Sequence, residues 1–199
     1  MAETAIEPKK EEKPNEFKSP VAHKALKEFP LRILKVKYDG IFDWSGLYKL
    51  IYEWFIDRGY YFEEKLAGHK IPTPMGAEDE FEFEGWKRTT SYMKEVLKLH
   101  FHFFEMRDIE VIKDGQKKKL VKARVIMTFS GAIETGYADR WDENQLGQQL
   151  RTLLESYIMK KEIESIWWDR LFYILLKLQT EVKEYLNMQA KENAYYDVW

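Results

Sequence analysis

Two stretches of alternating side chains, separated by Asp114 and Gly115, constrain the fold of this chain more than any other feature. Apolar residues occupy positions 97, 99, 101 and 103 in the first stretch and positions 121, 125, 127 and 129 in the second. A period of two is typical of a strand with one face in the core and the other in solvent. Since an Asp-Gly pair favours a tight turn between strands, the pattern predicts a long antiparallel hairpin at the centre of a sheet.

The parity of these positions also predicts the register of the hairpin. A two-residue loop would place Phe101 opposite Thr128 and so pair an apolar face with a polar one. An odd-length loop pairs the two apolar faces, so we expect a three-residue turn or a bulge near Gly115. The same register would place Asp108 opposite Lys122 as a favourable cross-strand ion pair.

Shorter patterns predict the remaining elements before this hairpin. A helix is indicated by Asp43, a good N-terminal cap, and by Gly59, which stands where a helix-ending glycine belongs. Its apolar face comprises Trp44, Leu47, Tyr48, Ile51, Tyr52 and Phe55. Strands are predicted at residues 31–40, 60–65 and 80–86, with a connecting loop rich in proline and glycine at 68–79.

The C-terminal part of the chain has the pattern of one very long helix. From Asp142 to about Glu192 there is no proline, and apolar residues recur at helical spacing for roughly fifty residues. An unbroken helix of that length would extend about 75 Å, whereas a globule of this size has a radius of gyration of about 16 Å. The helix must therefore break or project, and the expected break is at residues 159–162, where the apolar stripe lapses.

Together these elements predict an α+β fold: a curved antiparallel sheet of about five strands packed against an N-terminal helix and a long C-terminal helical segment. The order of elements between about residues 31 and 190 resembles that of the helix-grip (START-like) folds. In those folds a curved antiparallel sheet closes on a long C-terminal helix. The resemblance implies a START-like carrier or enzyme for a small apolar ligand. The sheet–helix cavity would be lined by Phe101, Phe103, Met127, Phe129 and Trp167.

Composition bounds the organisation of the 199-residue chain. Residues 1–24 mix lysine, glutamate and three prolines and are predicted to be a disordered tail, followed by a single domain at 25–192 and an aromatic tail at 193–199. The absence of cysteine excludes disulfides and thiolate chemistry, and a net charge of −2 provides no overall basic field. With neither a signal peptide nor a membrane span in the sequence, we expect a cytoplasmic protein.

The strongest functional indication is the apolar girdle of the C-terminal helix. Residues 167–176 are apolar around nearly the whole helix, so more than one face must be covered. We expect a second copy of the chain or another protein to cover them. The alternative is a helix gripped between the sheet and the N-terminal helix. The expected partner-binding residues are Trp167, Trp168, Leu171, Phe172, Leu175, Tyr196 and Trp199.

Three further features suggest chemistry less strongly. His100 and His102 lie two apart on one strand face and are candidate metal ligands, but the sequence provides no third ligand beside them, so no cofactor is expected. The acidic row Glu80, Glu82 and Glu84 is best explained by ion pairs to Lys35, Lys37, Lys122 or Arg124. Lys113, Lys117, Lys118 and Lys119 at the hairpin tip could contact nucleic-acid phosphates, or could form a soluble turn.

No motif of a nucleotide-binding, hydrolytic or calcium-binding family is present. We therefore favour a non-enzymatic binding or assembly protein that self-associates through its C-terminal helix. The alternatives are the START-like carrier or enzyme and a protein that binds RNA or ribonucleoprotein through the basic hairpin tip.

Overall fold

The computed structural model describes residues 27–68, 71–113, 116–136 and 153–188, with Gly147, Gln149 and Leu150. Both predicted tails, 1–24 and 193–199, lie outside the described residues. In the described part the fold is α+β, as predicted: an open antiparallel sheet of seven strands packs against two helices. The strands are β1 (Lys27–Pro30), β2 (Leu34–Phe42), β3 (Tyr61–Ala67), β4 (Ile71–Thr73), β5 (Gly76–Arg88), β6 (Met93–Lys113) and β7 (Gln116–Thr135).

The strand order across the sheet is β1-β7-β6-β5-β3, with β2 also paired to β7 and β4 also paired to β5. The five longer strands correspond to the predicted ones. The segment 68–79, predicted to be a connecting loop, instead contains β4 and the start of β5. The proline and glycine residues there make a tight turn at 74–75 between two paired strands, because Gly76 adopts a φ of 140° that few other residues tolerate.

The β6–β7 hairpin has the predicted pairing of apolar faces but reaches it differently. Lys113 pairs with Gln116, so the loop has two residues, and the register shifts at Glu105 and Met106 rather than near Gly115. Beyond this bulge Phe101 lies opposite Met127. The predicted Asp108–Lys122 pair is therefore wrong: Asp108 lies between the bulge and the hairpin turn, where the register of the two-residue loop still holds, and is opposite Val121.

The bulge is fixed by the turn between β4 and β5. Glu105 adopts a left-handed φ of 56°. A Cβ atom on Gly76 would lie only 2.6 Å from the backbone carbonyl carbon of Glu105, so this position has room for glycine alone. Arg107 donates from Nε to the carbonyl oxygen of Met75 at 2.9 Å. The local structure of the hairpin arm thus depends on a neighbouring element.

Helix α1 (Trp44–Asp57) has the predicted ends. Asp43 Oδ1 accepts a hydrogen bond from the Gly46 backbone N–H at 3.0 Å. At the other end Gly59 has a φ of 73°, and its N–H and that of Tyr60 bond back to the last turn. The buried face consists of Leu47, Ile51, Trp54 and Phe55.

Helix α2 covers residues 160–185 and includes a wide, π-helical turn at Ile163–Trp167 before the regular stretch Trp168–Tyr185. A second wide turn, Leu154–Ile158, precedes it, and Met159 between the two keeps a right-handed helical conformation, donating to the Leu154 carbonyl oxygen and accepting from the Ile163 N–H. At the predicted break, residues 159–162, the hydrogen-bond pattern thus changes between two wide turns while the backbone stays helical. The fully buried residues Leu171, Leu175, Leu178 and Val182 form its inner face.

Both helices pack on one face of the sheet. An ion pair of 3.0 Å joins Arg58 after α1 to Glu181 on α2, and the same carboxylate accepts a bond from the Trp54 indole N–H at 3.0 Å. The Arg58 guanidinium also lies 4.2 Å from the centre of the Trp54 ring. The other side of the sheet, called the open face here, presents side chains such as Lys37, Arg124 and His102 on adjacent strands.

Candidate interaction surfaces

The most exposed apolar part of the C-terminal region is its N-terminal end. Large apolar side chains there are about half exposed or more: Leu150 49%, Leu153 52%, Tyr157 81%, Ile158 63% and Ile166 52%. Leu153 and Tyr157 are four residues apart and lie on one helical face. We name this set the 150–166 surface. The sequence interpretation had placed Leu150, Leu153 and Tyr157 in the same apolar stripe as the core residues further along.

The predicted partner-binding residues separate into three groups. Leu171 and Leu175 are fully buried in the core of the chain itself. Trp167, Trp168 and Phe172 are half-buried; the Trp168 indole N–H donates to the Pro30 carbonyl oxygen at 2.9 Å, and its ring stacks on Phe172 at 5.5 Å. Tyr196 and Trp199 lie outside the described residues. Much of the girdle is thus covered by the sheet, which was the alternative considered for it.

Four of the five residues predicted to line a cavity belong to the buried core, and the fifth, Trp167, is half-buried and packs against it. Phe101, Phe103, Met127 and Phe129 are 0% exposed. The ring of Trp44 lies 5.5 Å from that of Phe101 and 4.8 Å from that of Phe103. Aromatic rings from α1 and the neighbouring strands therefore occupy the space beside these two side chains.

The two candidate metal ligands lie on the open face with their ring centres 6.3 Å apart. His102 Nε2 is 2.6 Å from Glu78 Oε1, and its Nδ1 is 3.6 Å from Glu80 Oε1. Within the described residues, however, no three potential ligands converge in a way that could hold a metal ion. The geometry is that of a histidine bound to its cross-strand carboxylates.

The acidic row pairs with different residues from those predicted. Glu84 lies 3.8 Å from Lys98 and 4.0 Å from Lys65, and Glu80 faces His102. Lysines of β2 and β7 were expected as partners, but β6 lies between β5 and β7 and keeps the two groups apart. Sequence alone could not reveal this, because strand order is a tertiary property.

The opposite side of the open face is basic. Lys35 and Lys37 on β2 are followed along the paired strands by Arg124, opposite Asp39, and Lys122, opposite Ile41, on β7, and all four basic side chains are exposed. Arg124 stands over the Phe104 ring at 5.2 Å and contacts Glu105 at 3.6 Å. A shallow depression of about 320 Å³ opens here, lined by Lys37, Tyr38, Asp39, Phe104, Arg124 and Ile126.

The lysines of the hairpin tip are partly neutralised by the protein itself. Lys118 lies 2.8 Å from Asp43 at the start of α1, and Lys117 lies 3.8 Å from Glu110. The hydrogen bond from Lys118 lowers the pKa of the Asp43 carboxyl, even though partial burial acts in the opposite direction. Lys119 is exposed, and the side chain of Lys113 lies outside the described residues.

A buried polar pair was not singled out from the sequence. The Tyr60 hydroxyl, 4% exposed, donates to Glu95 Oε2 at 2.7 Å, and Glu95 is 2% exposed. Burial, and then the nearby Glu95 carboxylate, raise the pKa of Tyr60 far above its ordinary value. The other carboxylate oxygen has no hydrogen-bond partner within the described part of the chain. The alternation of the strand could have predicted the burial of Glu95, because position 95 belongs to the same odd-numbered series as the core residue Leu97.

Comparison with known proteins provides no relative: no family model matches this chain, and no characterised protein has significant sequence similarity to it. None of the helices in the described residues is both long and apolar enough to cross a membrane.

Proposed function

We propose that this chain is a non-enzymatic binding or assembly protein that forms a homodimer through the 150–166 surface. The observation that carries the proposal is the exposure of apolar side chains there, with Tyr157 at 81% and Ile158 at 63%. Exposed apolar groups in one region are costly in water and mark sites where another surface docks. A cytoplasmic location stays a prediction.

A second copy is the proposed partner because a helical apolar stripe is self-complementary. In a two-fold dimer the same patch faces itself, so Leu153 and Tyr157 of one chain meet the same residues of the other. Side chains spaced three and four apart are those that interdigitate between packed helices. Half-buried Trp168 and Phe172, which already stack on each other, would extend the interface toward β1.

Light scattering after size exclusion tests the proposal. We expect the mass of a dimer for the natural chain and of a monomer for Leu153→Lys/Tyr157→Lys, since two charges would be buried without partners. Ile112→Lys is the matched control, because Ile112 is 71% exposed but lies on the β6 hairpin arm. A monomeric natural chain, or a dimer that the double variant leaves intact, would refute the proposal.

A further inference from the structure

The open face has a second feature that the dimer does not use. We propose that its basic side, formed by Lys35, Lys37, Lys122, Arg124 and Phe104, binds single-stranded nucleic acid. The lysines contact phosphates, and the Phe104 ring stacks on a base. This site is separate from the hairpin tip and from the 150–166 surface, so it does not rest on the proposed dimer.

The register places these residues in four successive rows of the open face, with Lys35 in the first row, opposite Thr128, and Lys122 in the last, opposite Ile41. Lys37 pairs with Ile126, which pairs with His102. In the next row Arg124 lies between Asp39 and Phe104. Directly opposed residues of neighbouring strands point to the same face, so the cations and the rings share one surface.

The charge on this side is only partly neutralised by the protein: Arg124 contacts Glu105 at 3.6 Å and lies opposite Asp39. Lys35, Lys37 and Lys122 are exposed, and none of them forms an ion pair within the described residues. Six lysines elsewhere in the described residues do pair with carboxylates, namely Lys49, Lys65, Lys94, Lys98, Lys117 and Lys118. Unpaired cations on neighbouring strands form an attractive site for a polyanion, which gains affinity by releasing counterions.

The Phe104 ring provides a surface for base stacking, which a site that only contacts phosphates does not have. Phe104 is half-buried, with His102 stacked on it at 4.0 Å and the Arg124 guanidinium at 5.2 Å. Bases of single strands stack on such rings and guanidinium planes in sheet-based binding modules. The depression of about 320 Å³ between Lys37 and Phe104 is at the lower end of the volume that small ligand groups occupy.

The acidic row on β5 does not cancel this attraction. It lies two strand spacings from Arg124 and Lys122 on β7 and three from Lys35 and Lys37 on β2, or about 10–14 Å, although it is adjacent to the β6 strand that carries Phe104. Screening in physiological salt acts over about 8 Å. The row also interacts with the protein's own His102, Lys98 and Lys65. It therefore limits the footprint of a bound strand to β2, β7 and β6.

Fluorescence anisotropy of a labelled twelve-nucleotide oligouridine RNA tests the proposal. We expect saturable binding that weakens about 20- to 50-fold between 50 and 200 mM salt, as for three or four phosphate contacts. Lys35→Glu/Lys37→Glu should weaken binding at least about tenfold at 50 mM salt and flatten the salt dependence. Phe104→Leu, which keeps an apolar side chain but removes the ring, should weaken it about tenfold with an unchanged salt slope.

Controls separate this site from general electrostatics. Lys49→Glu/Lys183→Glu makes the same charge change on the helices and should leave binding within about twofold. Lys117→Glu tests the hairpin tip and should also have little effect. A duplex of equal length should bind more weakly than the single strand, because its bases cannot stack on Phe104.

Three results would overturn the proposal: no saturable RNA binding, equal loss in the helix control, or equal affinity for the duplex. If no RNA binds and Lys35→Glu/Lys37→Glu instead abolishes self-association, the basic side is an interface between copies of the chain. Thermal unfolding of each variant shows whether a loss of binding is a loss of folding.

Discussion

The Tyr60–Glu95 pair shows how a single residue can be carried into the core by its position. Glu95 occupies an inward-facing position of β6, between Met93 and Leu97, and strand alternation leaves it no route to solvent. One carboxylate oxygen is bonded to the Tyr60 hydroxyl at 2.7 Å. Burying a carboxylate without a hydrogen bond is costly. The Tyr60 hydroxyl should therefore contribute more to the free energy of unfolding than the hydroxyl of a surface tyrosine does.

Tyr60→Phe should therefore lower the free energy of unfolding at pH 7 by about 2–3 kcal/mol, because Glu95 loses its hydrogen-bond donor. Urea unfolding measures this, with Tyr61→Phe as the control; Tyr61 is 57% exposed, and its change should stay within about 0.5 kcal/mol. Equal effects of the two substitutions would show that the buried bond contributes no stability.

The pH dependence provides a second readout of the same residue. The raised pKa means that folded Tyr60 keeps its proton while unfolded Tyr60 ionises above pH ~10. Stability from this group is thus complete below pH 10 and is lost as the pH rises further. Tyr60→Phe should abolish that part of the decline, so the gap between variant and natural chain narrows above pH 10. A constant gap from pH 8 to 11 would contradict the assignment.

Among the elements, the β6–β7 hairpin shows most clearly what sequence periodicity can and cannot predict. Parity correctly implied that Phe101 faces a core residue on the other arm, because only one face of the sheet is covered. Parity could not predict where along the hairpin the one-residue bulge lies. A bulge can occur wherever the chain accommodates an extra residue, and here Gly76 and Arg107 from the neighbouring turn decide the place.

Gly76→Ala should destabilise the protein by at least about 2 kcal/mol, since the new methyl group would meet the backbone of Glu105 and the backbone is in a glycine conformation. Gly40→Ala is the matched control on β2. There the nearest atom is the movable Tyr38 hydroxyl, and the cost should be smaller. Thermal and urea unfolding compare the two, and a larger loss for Gly40→Ala would contradict this account of the bulge.

For the whole molecule, the decisive feature is how the C-terminal segment divides between core and surface. One run of helical periodicity contains Leu171, fully buried under the sheet, and Tyr157, the most exposed of the large apolar residues described. Most of the exposed side chains precede Met159 and the buried ones follow it, although Ile166, 52% exposed, lies beyond it. Residues of one helical pattern thus have two roles: the buried ones, such as Leu171, stabilise the fold, and the exposed ones, such as Tyr157, form an apolar surface.

Leu171→Ala should lower the free energy of unfolding by about 2–5 kcal/mol through loss of packing and an internal cavity. Tyr157→Ala should change it by no more than about 0.5 kcal/mol at protein concentrations low enough to favour the monomer. Urea unfolding at submicromolar concentration provides the comparison. If Tyr157→Ala is as costly as Leu171→Ala, the 150–166 surface belongs to the core.

The sequence by itself determined the α+β class, the ends of α1 and the pairing of apolar faces in the long hairpin. These follow from local rules: period two, period 3.6, and capping residues whose effect reaches only a few positions. Only the tertiary structure decided the strand order, the partners of the acidic row, the site of the bulge and the covered half of the C-terminal helix. Each of these depends on which distant segment of the chain packs alongside. Periodicity along one strand or helix predicts that a face is buried, but it does not predict which element buries it.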